Sequence, residues 1–436
     1  MQPGRDEFEG QRLTRRGLLG AGAVAGAGLL LNACGGSGGA SSTSSQGTSV
    51  TINALLQKQA GYSEDDIRGM TAAFQAANPK IKVKPTLVAY EALHDKIVAA
   101  APAGTFDVVL IDVIWPAEFG SKHLLADITG RVNGLGVDQI LPGALATANY
   151  NKRFYGVPWI LDSKYLYYND AMLKRAGIPA SQLGTWDGVL AAAQKLKSKG
   201  IVKYPLIGSW SQAEAVVCDY AQLLGAYGGS FLDASGKPAF NRGGGVQALE
   251  FMRNGLKQGL YNPASTTALE EDVRKTFSQG DAAIALNWTY MDAMANDPKQ
   301  SKVAGHVKVA RTPKGPSGNG PGCNGSEALA ISAGSQHQDA AWEYVKFLTG
   351  QRIQNRFSKS SLPIWKSSYD DPAVVKALPD VVPVAKEQLG DMILRPEVTN
   401  YNAASQQLQV EIQKALLGKK SSQQALDDAA KAFSSS

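Results

Sequence analysis

Apolar and polar residues follow two rhythms along this chain. Val50 to Leu56 (VTINALL) and Ile81 to Val88 alternate with period two, and both are predicted strands. Between them Ser63 precedes Glu64, Asp65 and Asp66. That is a capping side chain with acids in the first turn, so a helix is expected to about Ala77, ahead of Asn78-Pro79. Tyr90 to Ala101 has helical spacing. Phe106 to Ile111 (FDVVLI) is a continuous apolar run, the pattern of a strand buried in a parallel sheet. Strands separated by helices make βαβ units. The alternation resumes later, with two strands within Phe154 to Tyr168 broken at Pro158, and strands at Tyr204 to Ser209 and Asp281 to Trp288. Amphipathic helices are predicted at Trp186 to Lys199, Gln212 to Ala226, Val246 to Gln258 and Asp272 to Gln279. A Pro/Gly-rich loop, Thr312 to Gly325, leads to a strand at Ala328 to Ser332, a helix at Asp339 to Leu348 and a helical tail from Val398, interrupted at Gly418. The α/β units therefore fall in two blocks, with no internal repeat.

The first 48 residues follow neither rhythm. Thr14-Arg15-Arg16-Gly17-Leu18-Leu19-Gly20 opens an apolar, Gly/Ala-rich run that ends at Leu31-Asn32-Ala33-Cys34. TRRGLLG resembles a twin-arginine export signal and LNAC resembles a bacterial lipobox, with Asn32 a departure from the usual small residue. Residues 1–33 are expected to be a signal peptide and Cys34 the lipidated first residue of the mature protein. The alternative is an uncleaved membrane helix, for which the run is short and glycine-diluted. Residues 34–48 are mostly Gly, Ser and Thr without charge, a flexible tether. A lipid anchor, a tether and a folded body suit a protein held at the outer face of the cell membrane.

The body has nearly 390 residues, enough for two domains. It is 44% hydrophobic and 19% charged over the whole chain, ordinary for a soluble globular protein. The formal charge of +6 is scattered, which argues against nucleic acid as a partner. With Cys34 assigned to lipid, Cys218 and Cys323 remain. In an oxidising compartment a disulfide between them is favoured over two buried thiols.

Several chemistries are missing. The four histidines, His94, His123, His306 and His337, show no metal-ligand spacing, and His94 and His123 read as solvated. The body has no nucleophile elbow and no phosphate loop; Gly243-Gly244-Gly245 reads as a turn at a helix start. No metal and no cofactor are expected. Asp112, Asp162 and Glu327 lie at predicted strand ends or loops, so an exported glycoside hydrolase stays open as an alternative. Aromatic residues also cluster where strands end: Tyr62, Trp115, Trp159, Trp210, Trp288 and Tyr290. In open α/β sheets ligands bind beyond the strands' carboxyl ends. An aromatic face beside carboxylates and a guanidinium is what a sugar needs, the ring covering C–H groups and the planar polar groups taking hydroxyls.

Five strings, in order, carry a family resemblance: VVLIDVIWPAEF (108–119), YGVPWILDSKYLYYND (155–170), FSQGDAAIALNW (277–288), ALAISAGSQHQDAAWEYVKFL (328–348) and RPEVTNYNAASQQLQ (395–409). The chain resembles the extracellular solute-binding lipoproteins of ABC sugar importers, the maltose- and trehalose-binding type, over about Val50 to Phe433. The resemblance implies an α/β, two-lobed periplasmic-binding-protein-like (type II) fold with a hinge and a central ligand cleft. One lobe is expected from residues 49–160 plus 282–327, the other from 161–281 plus 328–436. By position, Asp112, Asp162, Trp288 and Arg395 match sugar-contacting places. Tyr62, Trp115, Trp210, Gly325, Ser326 and Glu327 complete the expected site. Ser326 stands where the family's second glycine is usual, followed by Glu327, which leaves the maltose and trehalose specificity open. The implied function is capture of a di- or oligosaccharide without catalysis, by a monomer that delivers it to permease subunits.

Overall fold

The structure, a computed structural model, describes residues 49–58 and 61–434. The expected signal peptide, the lipidation site Cys34 and the tether lie outside the described residues. From Thr48 onward the chain forms one compact unit.

Local chemistry sets the first elements as the pattern predicts. β1 (Val50–Gln57) leads to α1 (Glu64–Ala77), where Ser63 and Asp66 cap each other's backbone N–H groups. β2 (Ile81–Val88), α2 (Tyr90–Ala100) and β3 (Val108–Asp112) follow, β3 buried along its whole length. Next come β4 (Gly156–Ile160), β5 (Tyr165–Asn169), β6 (Leu206–Ile207), α3 (Glu214–Ala226) and α4 (Glu270–Ser278). The elements that matter for the site end with β7 (Ile284–Asn287), β8 (Val307–Ala310), β9 (Glu327–Ile331) and α5 (Tyr401–Leu416). The triple glycine does start a helix, at Gly244, with Gly243 at φ +50° just before it.

Two sheets result. The first has the order β2-β1-β3-β9-β4, with β9 antiparallel to both neighbours; the second has the order β8-β5-β7-β6. This corrects the expected lobe boundaries at two places. β7 pairs with β5 and β6, so Ile284–Asn287 belongs with the second sheet, and β9 pairs with β3 and β4, so Glu327–Ile331 belongs with the first. Backbone pairing decides the matter, because a strand's N–H and C=O groups must find partners in its own sheet. Pro158 does not break a strand either. It sits inside β4, which has only β9 beside it, and an edge strand tolerates the missing N–H.

The real break follows Ile160. Residues 161–164 carry the chain from the first sheet to the second, and residues 311–326 carry it back. These links touch through a bridge between Ser163 and Asn324. Within the returning link, Gly322–Cys323 pairs in parallel with Met392–Ile393, just ahead of Arg395. Three chain segments thus lie side by side where the sheets meet.

Candidate functional site

A cleft of about 320 Å³ opens at this junction, at the small end of the ~300–1,000 Å³ typical of ligand pockets. The strand ends of the first sheet supply Asp112, Ile160 and Glu327. The crossing links supply Asp162 and Gly325, and the second sheet with its helices supplies Glu214, Glu270, Trp288 and Tyr290.

Arg395 is the hub. Its guanidinium is buried and donates to three acceptors: Asp112 Oδ1 at 3.1 Å, Glu214 Oε1 at 2.8 Å and the Asn324 carbonyl at 3.2 Å. Asp112 ends β3 and also accepts from the Tyr90 hydroxyl at 2.8 Å. Glu214 opens α3, where the helix N-terminus favours an anion, and it accepts from the Tyr401 hydroxyl at 2.6 Å, from Ser405 and from Gln409. One cation therefore ties the end of the first sheet to helices packed on the second.

Trp288 is the aromatic plate. It follows β7, is half-buried, and donates its indole N–H to Glu270 Oε1 at 3.2 Å. Lys164 Nζ lies 5.1 Å from the ring centroid, fully buried, bonded to Asp219 at 2.6 Å and Ser209 at 2.7 Å. Burial alone disfavours the ammonium, but Asp219 and Glu270 hold its pKa above the usual lysine range. Gly325 lies flat against the ring: a Cβ there would stand 2.4 Å from two indole carbons. Only glycine permits that approach. Gly325→Ala is expected to displace Trp288, weaken ligand binding by about tenfold and cost roughly 1–3 kcal/mol of stability; calorimetry and chemical denaturation check both.

Asp162 and Glu327 form the polar floor. Asp162 Oδ1 accepts from the Thr289 hydroxyl at 2.6 Å, from Thr289 N at 3.2 Å and from Ser163 N at 2.8 Å. Burial still raises its pKa from 3.8 to about 7. The folded state thus holds the extra proton. This group favours folding below about pH 4 and costs stability progressively as pH rises through 7. Asp162→Asn keeps the acceptor and removes the charge, so its melting-temperature advantage over the unaltered chain should be small at pH 4 and largest at pH 8. An advantage that stays constant with pH would show that Asp162 does not titrate there. Glu327 accepts from Gln57 Nε2 at 3.1 Å, and burial, then Asp112 and Asp162, hold it well above the usual carboxylate range.

Of the expected residues, Asp112, Asp162, Trp288, Gly325, Glu327 and Arg395 meet in this cleft. Four do not line it. Trp210 is core, tilted against Tyr261 at 4.3 Å with its N–H on Asp219. Trp115 is buried behind Tyr90 at 5.7 Å, and Tyr62 is buried against Trp159 at 4.9 Å; each ring is sealed off by apolar packing. Ser326 turns away from the cavity, its hydroxyl accepting from Asp162 N at 3.2 Å. The expected disulfide is also corrected. Cys218 and Cys323 are buried free thiols that act on each other, which raises the pKa of the first and lowers that of the second. His94 is not solvated: its ring stacks on Phe119 and meets Glu118 at 3.0 Å. Tyr290, one of the strand-end aromatics, also lines the cleft, whereas Gln57, Tyr90, Glu214 and Glu270 went unanticipated. Glu214, Glu270 and Tyr90 are each the first residue of a helix, and that placement was the signal available in the sequence.

Two α/β sheets joined by adjacent crossing links, with an open cleft holding one aromatic plate and convergent polar groups, define a binding protein for a small polar solute. The profile of the bacterial extracellular solute-binding proteins matches residues 45–355, and the chain belongs to that family. A Deinococcus radiodurans protein named "probable ABC transporter-binding protein" is 32% identical over 286 residues, 64% of this chain and 67% of its own length. The mannitol-binding protein of Pseudomonas aeruginosa is 26% identical over 65% of each chain. Among solved structures, maltose-bound MalE3 of T. maritima superposes with a TM-score of 0.83 at 29% identity, covering 88% of this chain and 99% of its own. A solute-binding protein of Thermotoga lettingae bound with alpha-D-tagatose gives 0.80 at 26% identity, covering 89% and 99%. The expected two-lobed α/β fold is met. No helix among the described residues is long and apolar enough to cross a membrane.

Proposed function

We propose that this protein captures a saccharide or sugar alcohol of up to about disaccharide size and hands it, unaltered, to the permease subunits of an ABC importer. The observation that carries the reading is Trp288, a half-buried indole fixed by Glu270, Lys164 and Gly325 on the wall of a cleft rich in carboxylates and holding Arg395. Such a plate covers the C–H face of a pyranose, while Asp112, Asp162 and Arg395 exchange hydrogen bonds with hydroxyls. A maltose-bound relative and a mannitol-binding relative support that ligand class.

Capture proceeds by bending at the three adjacent segments that join the sheets, so that both lobes close on the sugar. Moving such an equilibrium from 1:99 to 99:1 requires about 5.5 kcal/mol of preference for the closed state. The chain acts as a lipid-anchored monomer, with Cys34 as the anchor. A thermal-shift screen of mono- and disaccharides and sugar alcohols, followed by calorimetry on the hits, tests the reading. Chromatography of the recovered ligand distinguishes capture from hydrolysis: a cleaved sugar would show a glycoside hydrolase. X-ray scattering should show compaction on addition of the hit.

A further inference from the structure

Strand register places two carboxylates face to face at the head of the cleft. Glu327, the first residue of β9, pairs directly with Asp112, the last of β3. Like charges directly opposite on neighbouring strands destabilise a sheet unless something answers them. Asp112 is answered by Arg395 and the Tyr90 hydroxyl. Glu327 is not answered in the same way. It is 6% exposed, and its one side-chain partner is the neutral amide of Gln57, on Oε2. Oε1 has no partner among the described residues, in a side chain that forms part of the cavity wall. Asp162 repeats the pattern, 4% exposed, with all its bonds on Oδ1 and none on Oδ2.

The surrounding charge does not compensate. The lining carries eight carboxylates against three cations, Lys58, Lys275 and Arg395. Lys164, behind Trp288, answers Glu270, and Arg274 answers Glu271. Arg395 is already shared between Asp112 and Glu214. A metal ion is not the missing cation, because no cluster among the described residues could hold one.

We infer that the solute carries a protonated amine: the ligand is an amino sugar, or a glycoside bearing a basic nitrogen, whose ammonium sits between Glu327 Oε1 and Asp162 Oδ2 while its ring lies on Trp288. An ammonium has three donors and no acceptor, matching two acceptor atoms that have no donor of their own. The ammonium's positive charge favours the ionised form of both acids, countering the rise that burial imposes on them, and the charge-assisted bonds replace the hydration both groups lose. The inference rests on the saccharide-capture reading and narrows it.

Paired probes test it by calorimetry at pH 6.5 on the folded chain: D-glucosamine against D-glucose, and the β-1,4-linked glucosamine disaccharide against cellobiose and its N-acetylated counterpart. At least one amine should bind about tenfold or more tighter than its hydroxyl twin, and Glu327→Gln should erase that gap by weakening the amine far more than the neutral twin. If E327Q fails to fold, Glu327→Asp, which withdraws the carboxylate by one methylene, should narrow the gap. An unchanged gap in the variant overturns the assignment to Glu327. Neutral or N-acetylated sugars that bind as well as the amines, or better, overturn the inference and leave saccharide capture standing. If no probe in this set and no sugar in the wider screen binds, both readings fail.

Discussion

Trp288→Ala is expected to weaken saccharide binding by roughly 30–150-fold, about 2–3 kcal/mol, with little change in melting temperature. The magnitude follows from the apolar face that the indole offers to a sugar ring, and from the support invested in holding it. Glu270 takes its N–H, Lys164 lies 5.1 Å from its centroid and Gly325 gives it a flat bed. A half-buried ring at a cleft wall contributes less to folding than to binding, so the two effects should separate. Calorimetry against the best sugar from the screen measures the first, and a thermal melt the second. An unchanged dissociation constant would remove Trp288 from the site.

Arg395→Met should do the opposite, and lose fold before function. The guanidinium is buried between Asp112 and Glu214, and removing it leaves two desolvated carboxylates without a counter-charge. Breaking a buried pair in this way costs about 3–5 kcal/mol, most of it the penalty on the stranded acids. Urea denaturation of the variant should show that loss. Adding Asp112→Asn and Glu214→Gln should recover a large part of it, since neutral amides need no cation. No recovery would mean that Arg395 acts mainly through packing and its bond to the Asn324 carbonyl.

The behaviour of Arg395 also shows why parts of the site were legible in the sequence and parts were not. Asp112 could be found because it ends an apolar run, and strand ends in α/β sheets face ligands. Trp288 could be found for the same reason, after IALN. Trp210 and Trp115 carry the same local pattern, yet both are core: whether an aromatic at a strand end faces solvent or a neighbouring helix depends on what packs there, which local pattern does not encode. Glu214 and Asp112 are over a hundred residues apart, and only the tertiary fold shows that one guanidinium spans them. Two cysteines left over in the count suggested a cross-link, but a count carries no geometry, and both thiols are free. The placement of β7 and β9 in their sheets was not readable because a short apolar run pairs equally well with either sheet until the crossing links fix its neighbours. By contrast, the N-cap at Ser63 and the buried strand β3 depend on residues a few positions apart, and both formed where the pattern predicts.

Residues 161–164 carry more than the chain from one sheet to the other. The same four-residue joint presents Asp162 to the cavity, bonds Ser163 N to that carboxylate, and anchors Lys164 beneath the tryptophan. A small torsion in this linker therefore moves an acceptor and the ring's electrostatic support at once. Recognition and articulation share one piece of backbone, so a substitution that retunes the taste of the pocket at Asp162 also retunes the compliance of its pivot.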